Sequence, residues 1–82
     1  MVISKELAPF GIRVNAVAPG TVKTDMESTR TTEQLSEVIN RTSMKRVAEP
    51  AEIADAVCWL AGDKASFVTG QVIIVDGGRM NV

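Results

Sequence analysis

Ile12-Arg13-Val14-Asn15-Ala16-Val17-Ala18-Pro19-Gly20 is the stretch whose reading decides the fold. Ile12, Val14, Ala16 and Ala18 fall on one side of an extended chain, and Arg13, Asn15 and Val17 on the other, the period-two pattern of a strand over Ile12–Ala18. Pro19 has no N–H to give to a ladder and Gly20 permits a sharp turn, so the strand is predicted to end there.

Upstream, Met1 to Ala8 reads as the last turns of a helix, with Pro9 and Gly11 as stop signals. Downstream, Thr21 to Arg30 is polar and unperiodic and reads as a loop. Thr31 and Gln34 have the spacing of a capping box, and Leu35, Val38 and Ile39 follow at helical spacing, predicting a helix to about Arg41. Thr42 to Glu49 is a connection. Pro50 suits the first position of a helix, where its missing N–H costs nothing. In that helix Ile53, Val57, Leu60 and Ala61 are the expected buried stripe, with Ala54 and Cys58 beside it, and Gly62-Asp63 closes it. After a turn at Ser66 to Thr69, Gly70 introduces a strand over Gln71–Val75 that is apolar at its centre, as in a parallel strand covered on both faces. Asp76-Gly77-Gly78 ends it, and Arg79 to Val82 is expected to be loose.

Two strands joined through helices are expected to lie parallel with a right-handed crossover, the pattern of one edge of a doubly wound α/β sheet. Two such strands alone leave an edge unpaired. Residues 1–82 therefore read as part of a single domain, the edge of something larger.

The composition fits a globular chain: 82 residues, 45 % hydrophobic and 23 % charged, with a formal charge of −1. A chain this short buries only about 60–65 % of its unfolded surface, so a thin stability margin is expected. No basic run exists to neutralise a phosphate backbone and few aromatics to stack bases, which argues against nucleic acid. The longest aliphatic run, Val72-Ile73-Ile74-Val75, is far below the roughly 20 residues of a membrane-spanning helix. Met1 to Glu6 lacks the pattern of a signal peptide, so a cytoplasmic location is expected. One cysteine and no histidine leave no residues for a structural zinc site or a histidine-based catalytic triad within one chain.

In open α/β sheets ligands bind beyond the carboxyl ends of the strands, where the loop after Pro19 lies. A Pro-Gly turn lets backbone approach a flat ring closely. A main-chain group at Val22 and the hydroxyl of Thr24 are then placed to hydrogen-bond an amide on that ring. On spacing alone, Pro19-Gly20 serves equally as a strand terminator and Thr24 as a loop cap.

Arg13-Val14-Asn15-Ala16-Val17-Ala18-Pro19-Gly20-Thr21-Val22-Lys23-Thr24-Asp25-Met26 resembles the sixth strand and following loop of short-chain dehydrogenases/reductases, with their pattern N-x-[VI]-x-P-G-x-[VI]-x-T. Glu6 to Ile12 is similar to the family's helix-to-strand junction. Glu49 to Ala54 and Thr69 to Gly78 resemble its last helix and last strand. The resemblance spans essentially the whole chain, and three motifs in order at family spacing are highly specific. It implies the C-terminal edge of a Rossmann-like sheet in an NAD- or NADP-dependent oxidoreductase reducing a carbonyl or oxidising an alcohol. It also implies that Pro19, Gly20, Val22 and Thr24 hold the nicotinamide face and carboxamide. Within the family the chain looks most like the 3-oxoacyl-[acyl-carrier-protein] reductases, which implies a small-molecule carbonyl or acyl-thioester substrate and a homo-oligomer, dimer or tetramer.

The family's tyrosine, with a lysine four residues later and a supporting serine, has no counterpart, because the chain contains no tyrosine. Nor do its glycines form the G-x-G-x-x-G turn that cradles a pyrophosphate. The expectation is that both lie upstream of Met1 and that the isolated chain is inactive. A non-catalytic module that associates with other subunits is the alternative. Cys58 reads as a small core residue, Trp59 as packing or interface, and Asp76 as structural. Thr31 to Arg41 corresponds to the family's substrate-covering segment, although alone it is an ordinary amphipathic helix.

Overall fold

The alternation around Asn15 divides in two in the computed structural model, which describes residues 1–23 and 31–79. Only Ala16–Pro19 forms the regular strand β1, and it pairs in parallel with β2, Val72–Val75. The register sets Ala16 against Val72 and Pro19 against Val75. Both strands are shorter than the apolar pattern suggests, and side chains explain why. The Val14 N–H donates to Thr69 Oγ1 at 3.1 Å, and the Val14 carbonyl accepts from the Gly70 N–H at 2.8 Å. Asn15 Nδ2 donates to the Val68 carbonyl at 2.9 Å, while its Oδ1 accepts from the Gln71 N–H at 3.1 Å. A hydroxyl and an amide thus take the place of ladder rungs. At the other end proline forms the last pair, and the Gly20 N–H supplies the next bond, to the Val75 carbonyl at 3.0 Å.

The helices start where their sequence signals stand. Helix α1, Val2–Leu7, runs into a 3₁₀ turn over Ala8–Phe10. Gly11 stops it in the left-handed region (φ 75°), where a side chain would be strained. Helix α2, Thr32–Arg41, carries the expected reciprocal cap. The Gln34 N–H donates to Thr31 Oγ1 and the Thr31 N–H to Gln34 Oε1, each at 3.0 Å. Helix α3, Pro50–Ala61, has proline in its first turn. The Glu49 N–H just before it donates to Glu52 Oε1 at 2.9 Å.

The face of α3 differs from expectation. Leu60 is buried and Ile53 half-buried, but Ala56 joins them in place of Val57, Ala54 and Ala61, which are exposed. Cys58 is exposed as well, not a core residue, and Trp59 is half exposed. At about 100° per residue, Ile53, Ala56 and Leu60 share a narrow line, while Cys58 stands roughly 140° from Ile53. A two-stranded sheet covers only that line. The end of α3 is also unusual. Gly62 leaves in extended backbone (φ −90°, ψ 176°), not left-handed, and the guanidinium of Arg13 caps the helix. Arg13 Nη1 donates to the Leu60 carbonyl at 2.7 Å and Nη2 to the Gly62 carbonyl at 3.1 Å.

The buried apolar residues among those described are Val38, Leu60 and Ala65. On β2, Ile73 and Val75 are half-buried, whereas Val72 and Ile74 are 57 % and 51 % exposed, so one face of this strand is covered and not both.

Candidate functional site

Three segments meet beyond the carboxyl ends of β1 and β2: Gly20 to Lys23, Thr42 to Ala48, and Asp76 to Gly78. The first leaves β1 so close to the end of β2 that a Cβ on Gly20 would lie 2.9 Å from both Cα and Cβ of Asp76. Glycine is required there by the chain itself, whatever binds nearby. Asp76 is held in a local turn, its Oδ1 accepting from the Gly78 N–H at 2.9 Å. The Met44 N–H donates to the Gly77 carbonyl at 3.0 Å, and Ser43 Oγ to the Gly78 carbonyl at 3.2 Å, tying the end of α2 to the end of β2.

The loop after β1 is not free-standing. Val22 makes an isolated parallel bridge with Ala48. The Ala48 N–H donates to the Thr21 carbonyl at 2.9 Å, and the Lys23 N–H donates to the Ala48 carbonyl at 2.8 Å. In a parallel bridge of this kind the partner bonds to the residues on either side of the one it faces. The N–H and C=O of Val22 therefore point away from Ala48, and among the described residues neither has a partner. One peptide donor and one acceptor, side by side at a strand end, match the two hydrogen-bonding ends of a carboxamide.

Ala48 is itself fixed from behind. Arg46 Nη1 donates to Glu52 Oε1 at 2.6 Å and Nη2 to Glu52 Oε2 at 2.8 Å, a bidentate pair. Glu52 Oε1 also accepts the Glu49 N–H. These two donors, the guanidinium above all, hold the Glu52 carboxyl at about 2, well below the usual carboxylate range. A hollow of about 100 Å³ lies among Thr21, Thr42, Arg46, Ala48, Glu52 and Asp76. Val22 does not line it, so this hollow backs the loop rather than forming the face that the Val22 peptide addresses.

Of the residues singled out from the sequence, Pro19, Gly20 and Val22 are brought together at the end of β1, and Thr24 lies outside the described residues. Ala48, Arg46 and Glu52 were missed. Glu49-Pro50-Ala51-Glu52 carried a readable signal, two acids at capping-box spacing around a helix-starting proline.

A family model described as enoyl-(acyl carrier protein) reductase matches residues 2–80. The chain belongs to the short-chain dehydrogenase/reductase family. Members of this family are NAD(P)-dependent oxidoreductases with a Rossmann-like sheet, and β1 and β2 are an edge of such a sheet. An uncharacterised oxidoreductase of Bacillus subtilis, YmfI, is 50 % identical over 76 residues, covering 93 % of this chain and 31 % of that protein. The crystal structure of a 3-oxoacyl-[acyl-carrier protein] reductase from Brucella melitensis superposes with a TM-score of 0.91 at 44 % identity, over 94 % of this chain and 29 % of that one. A 4-hydroxyisoleucine dehydrogenase mutant complexed with NADH and succinate superposes with a TM-score of 0.90 at 25 % identity, over 99 % of this chain and 34 % of that one. The chain spans about a third of the length of these relatives. No helix among the described residues is long and apolar enough to cross a membrane.

Proposed function

We propose that residues 1–82 supply the nicotinamide-side loop and the substrate-covering segment of an NAD(P)-dependent short-chain oxidoreductase. The observation that carries this is the Val22 peptide, whose N–H and C=O are aimed outward by the bridge to Ala48. The Val22 N–H and C=O would hold the carboxamide of NAD or NADP as donor and acceptor, with the Thr24 hydroxyl as a further ligand. Pro19 and Gly20 bring the backbone close to the ring. Such a cofactor would supply the hydride chemistry, while the residues of this chain would hold its ring in place and, through Thr31 to Arg41, cover the substrate. That substrate is a carbonyl compound, in the narrower reading a 3-oxoacyl thioester, as the name of the Brucella relative suggests.

We assign no proton transfer to residues 1–82, since the chain contains no tyrosine. By itself it is inactive with NAD(P)H and simple ketones or acetoacetyl thioesters. We place the whole enzyme in the cytoplasm as a homo-oligomer. The half-exposed Val72, Ile74 and Trp59 favour a second reading, a non-catalytic module that associates with other subunits.

A chimaera separates the two. Residues 1–82 are spliced in place of the matched segment of the Brucella melitensis reductase. Restored NAD(P)H-dependent reduction of an acetoacetyl thioester, weakened about three- to tenfold in apparent cofactor constant by Thr24→Val but not by Lys64→Ala, supports the oxidoreductase reading. A folded chimaera with no turnover overturns it.

A further inference from the structure

The segment between α2 and α3, Thr42 to Glu49, contains no regular secondary structure, yet its Ala48 fixes the loop that follows β1. Something must hold Ala48 for Ala48 to hold Val22. Arg46 and Glu49 flank that peptide, and both are tied to one carboxylate, Glu52, on the first turn of α3. Arg46 Nη1 also reaches the Val47 carbonyl at 3.4 Å. The chain from 46 to 49 is thereby pinned to a helix at both ends, with Ala48 between the pins presenting its N–H to Thr21 and its C=O to Lys23.

We infer that Arg46 is a positioning residue for the nicotinamide loop: its bidentate pair with Glu52 fixes the Ala48 peptide, and so aims the N–H and C=O of Val22. The inference rests on the functional reading above. A direct role for Arg46 in binding an anionic ligand fits less well, because two of its nitrogens are committed to Glu52 and its charge is matched there. Lysine cannot reproduce the geometry, being a point donor without the planar fork.

Amide hydrogen exchange of the full 82-residue chain tests the positioning without any cofactor. In Arg46→Ala the Lys23 and Ala48 amides are expected to exchange about tenfold faster, while Ala16 and Gly20, which belong to the β1–β2 ladder, stay within about twofold. Glu52→Gln, which keeps an acceptor for the Glu49 N–H, is expected to give the same pattern if Arg46→Ala fails to fold. Unchanged Lys23 and Ala48 amides, or equal acceleration across the ladder, overturn the inference. In the chimaera, Arg46→Ala and Arg46→Lys are expected to raise KM for NAD(P)H about three- to tenfold with kcat within about twofold, and Lys64→Ala to change neither. Loss of kcat with an unchanged cofactor KM overturns it. An inactive parent chimaera overturns the functional reading alone, and the exchange measurement then still decides whether Arg46 positions the loop.

Discussion

Arg13 Nη1 donates to the carbonyl of Leu60 at 2.7 Å, so a residue from the approach to β1 caps the C-terminus of α3. The same guanidinium reaches the carbonyls of Gly62 at 3.1 Å and Val68 at 3.2 Å. Helix ends leave their last carbonyls without intrahelical partners and carry partial negative charge, both of which a fixed cation answers. Arg13 also ties α3 to the turn that precedes β2.

Arg13→Ala removes this cap and leaves three carbonyls to find other partners. The expected loss is about 2 kcal/mol, with Arg13→Lys recovering only part, since a single ammonium cannot span the three acceptors. Urea titration followed by circular dichroism measures it. A change below about 0.5 kcal/mol in Arg13→Ala would show that water replaces the guanidinium at little cost.

Gly20→Ala places a Cβ 2.9 Å from the Cα and Cβ of Asp76, where the backbone and not a flexible side-chain tip must give. The expected cost is about 1–3 kcal/mol. The chemical shifts of Gly20 and Asp76 should move most, because the bond from the Gly20 N–H to the Val75 carbonyl is the nearest to stretch. Equal stability of variant and parent would mean that the strand ends part freely.

The Glu52 carboxyl titrates in the folded chain at about 2, below its ordinary 4.5, because Arg46 and then the Glu49 N–H favour its charged form. A folded pKa below the unfolded one contributes stability that is complete above about 4.5 and is lost as the pH falls through about 2. The protection factor of the Lys23 amide, measured against that of Gly20, is expected to hold down to about pH 4.5 and to fall towards pH 2. In Glu52→Gln the ratio should be lower and flat. The charged group facing Glu52 is the guanidinium of Arg46, and the Glu49 main-chain N–H adds a second donor.

Val72 and Ile74 offer an apolar face beside a two-stranded sheet whose outer edges are unpaired among the described residues. Covering that surface by association returns about 25 cal/mol for each Å² buried. Sedimentation velocity of the chain should show dimers or larger species with a broad thermal transition, and Ile74→Lys should shift the distribution towards monomer. A monodisperse parent with a sharp unfolding curve would contradict this.

The sequence made legible whatever depends on neighbours a few residues apart. Thr31 with Gln34 marked the start of α2, Pro50 the start of α3, and Pro9 and Gly11 the end of α1. Longer-range facts were hidden. Arg13 read only as one of the residues on the second side of the strand, because its partners are main-chain carbonyls 47, 49 and 55 residues away, which leave no mark in side-chain identity. The bridge from Val22 to Ala48 was hidden for the same reason, since the connection holding Ala48 has no apolar period. Val57 and Cys58 were placed in the core because helical periodicity reports which side chains are apolar, not how wide a surface lies opposite. At the site, the end of β1 at Pro19-Gly20 was readable, but not that Gly20 prolongs the ladder instead of turning sharply, nor the groups that hold Val22 from behind.

The pairing of Ala16 with Val72 also governs how the chain must fold. The bonds that unite the approach to β1 with the approach to β2 join residues 53 to 56 apart, as in Asn15 to Val68, Val14 to Thr69 and Gln71 to Asn15. Almost none of the sheet can be assembled from nearby pieces, so a long loop must close before the first rung is made, and its entropy is lost before any contact compensates it. On a ribosome, β1 emerges well ahead of β2, and the pairing of Ala16 with Val72 has to wait until Gln71 to Val75 follows. Helices α2 and α3, whose caps are local, can form in that interval, leaving strand closure as the slow step.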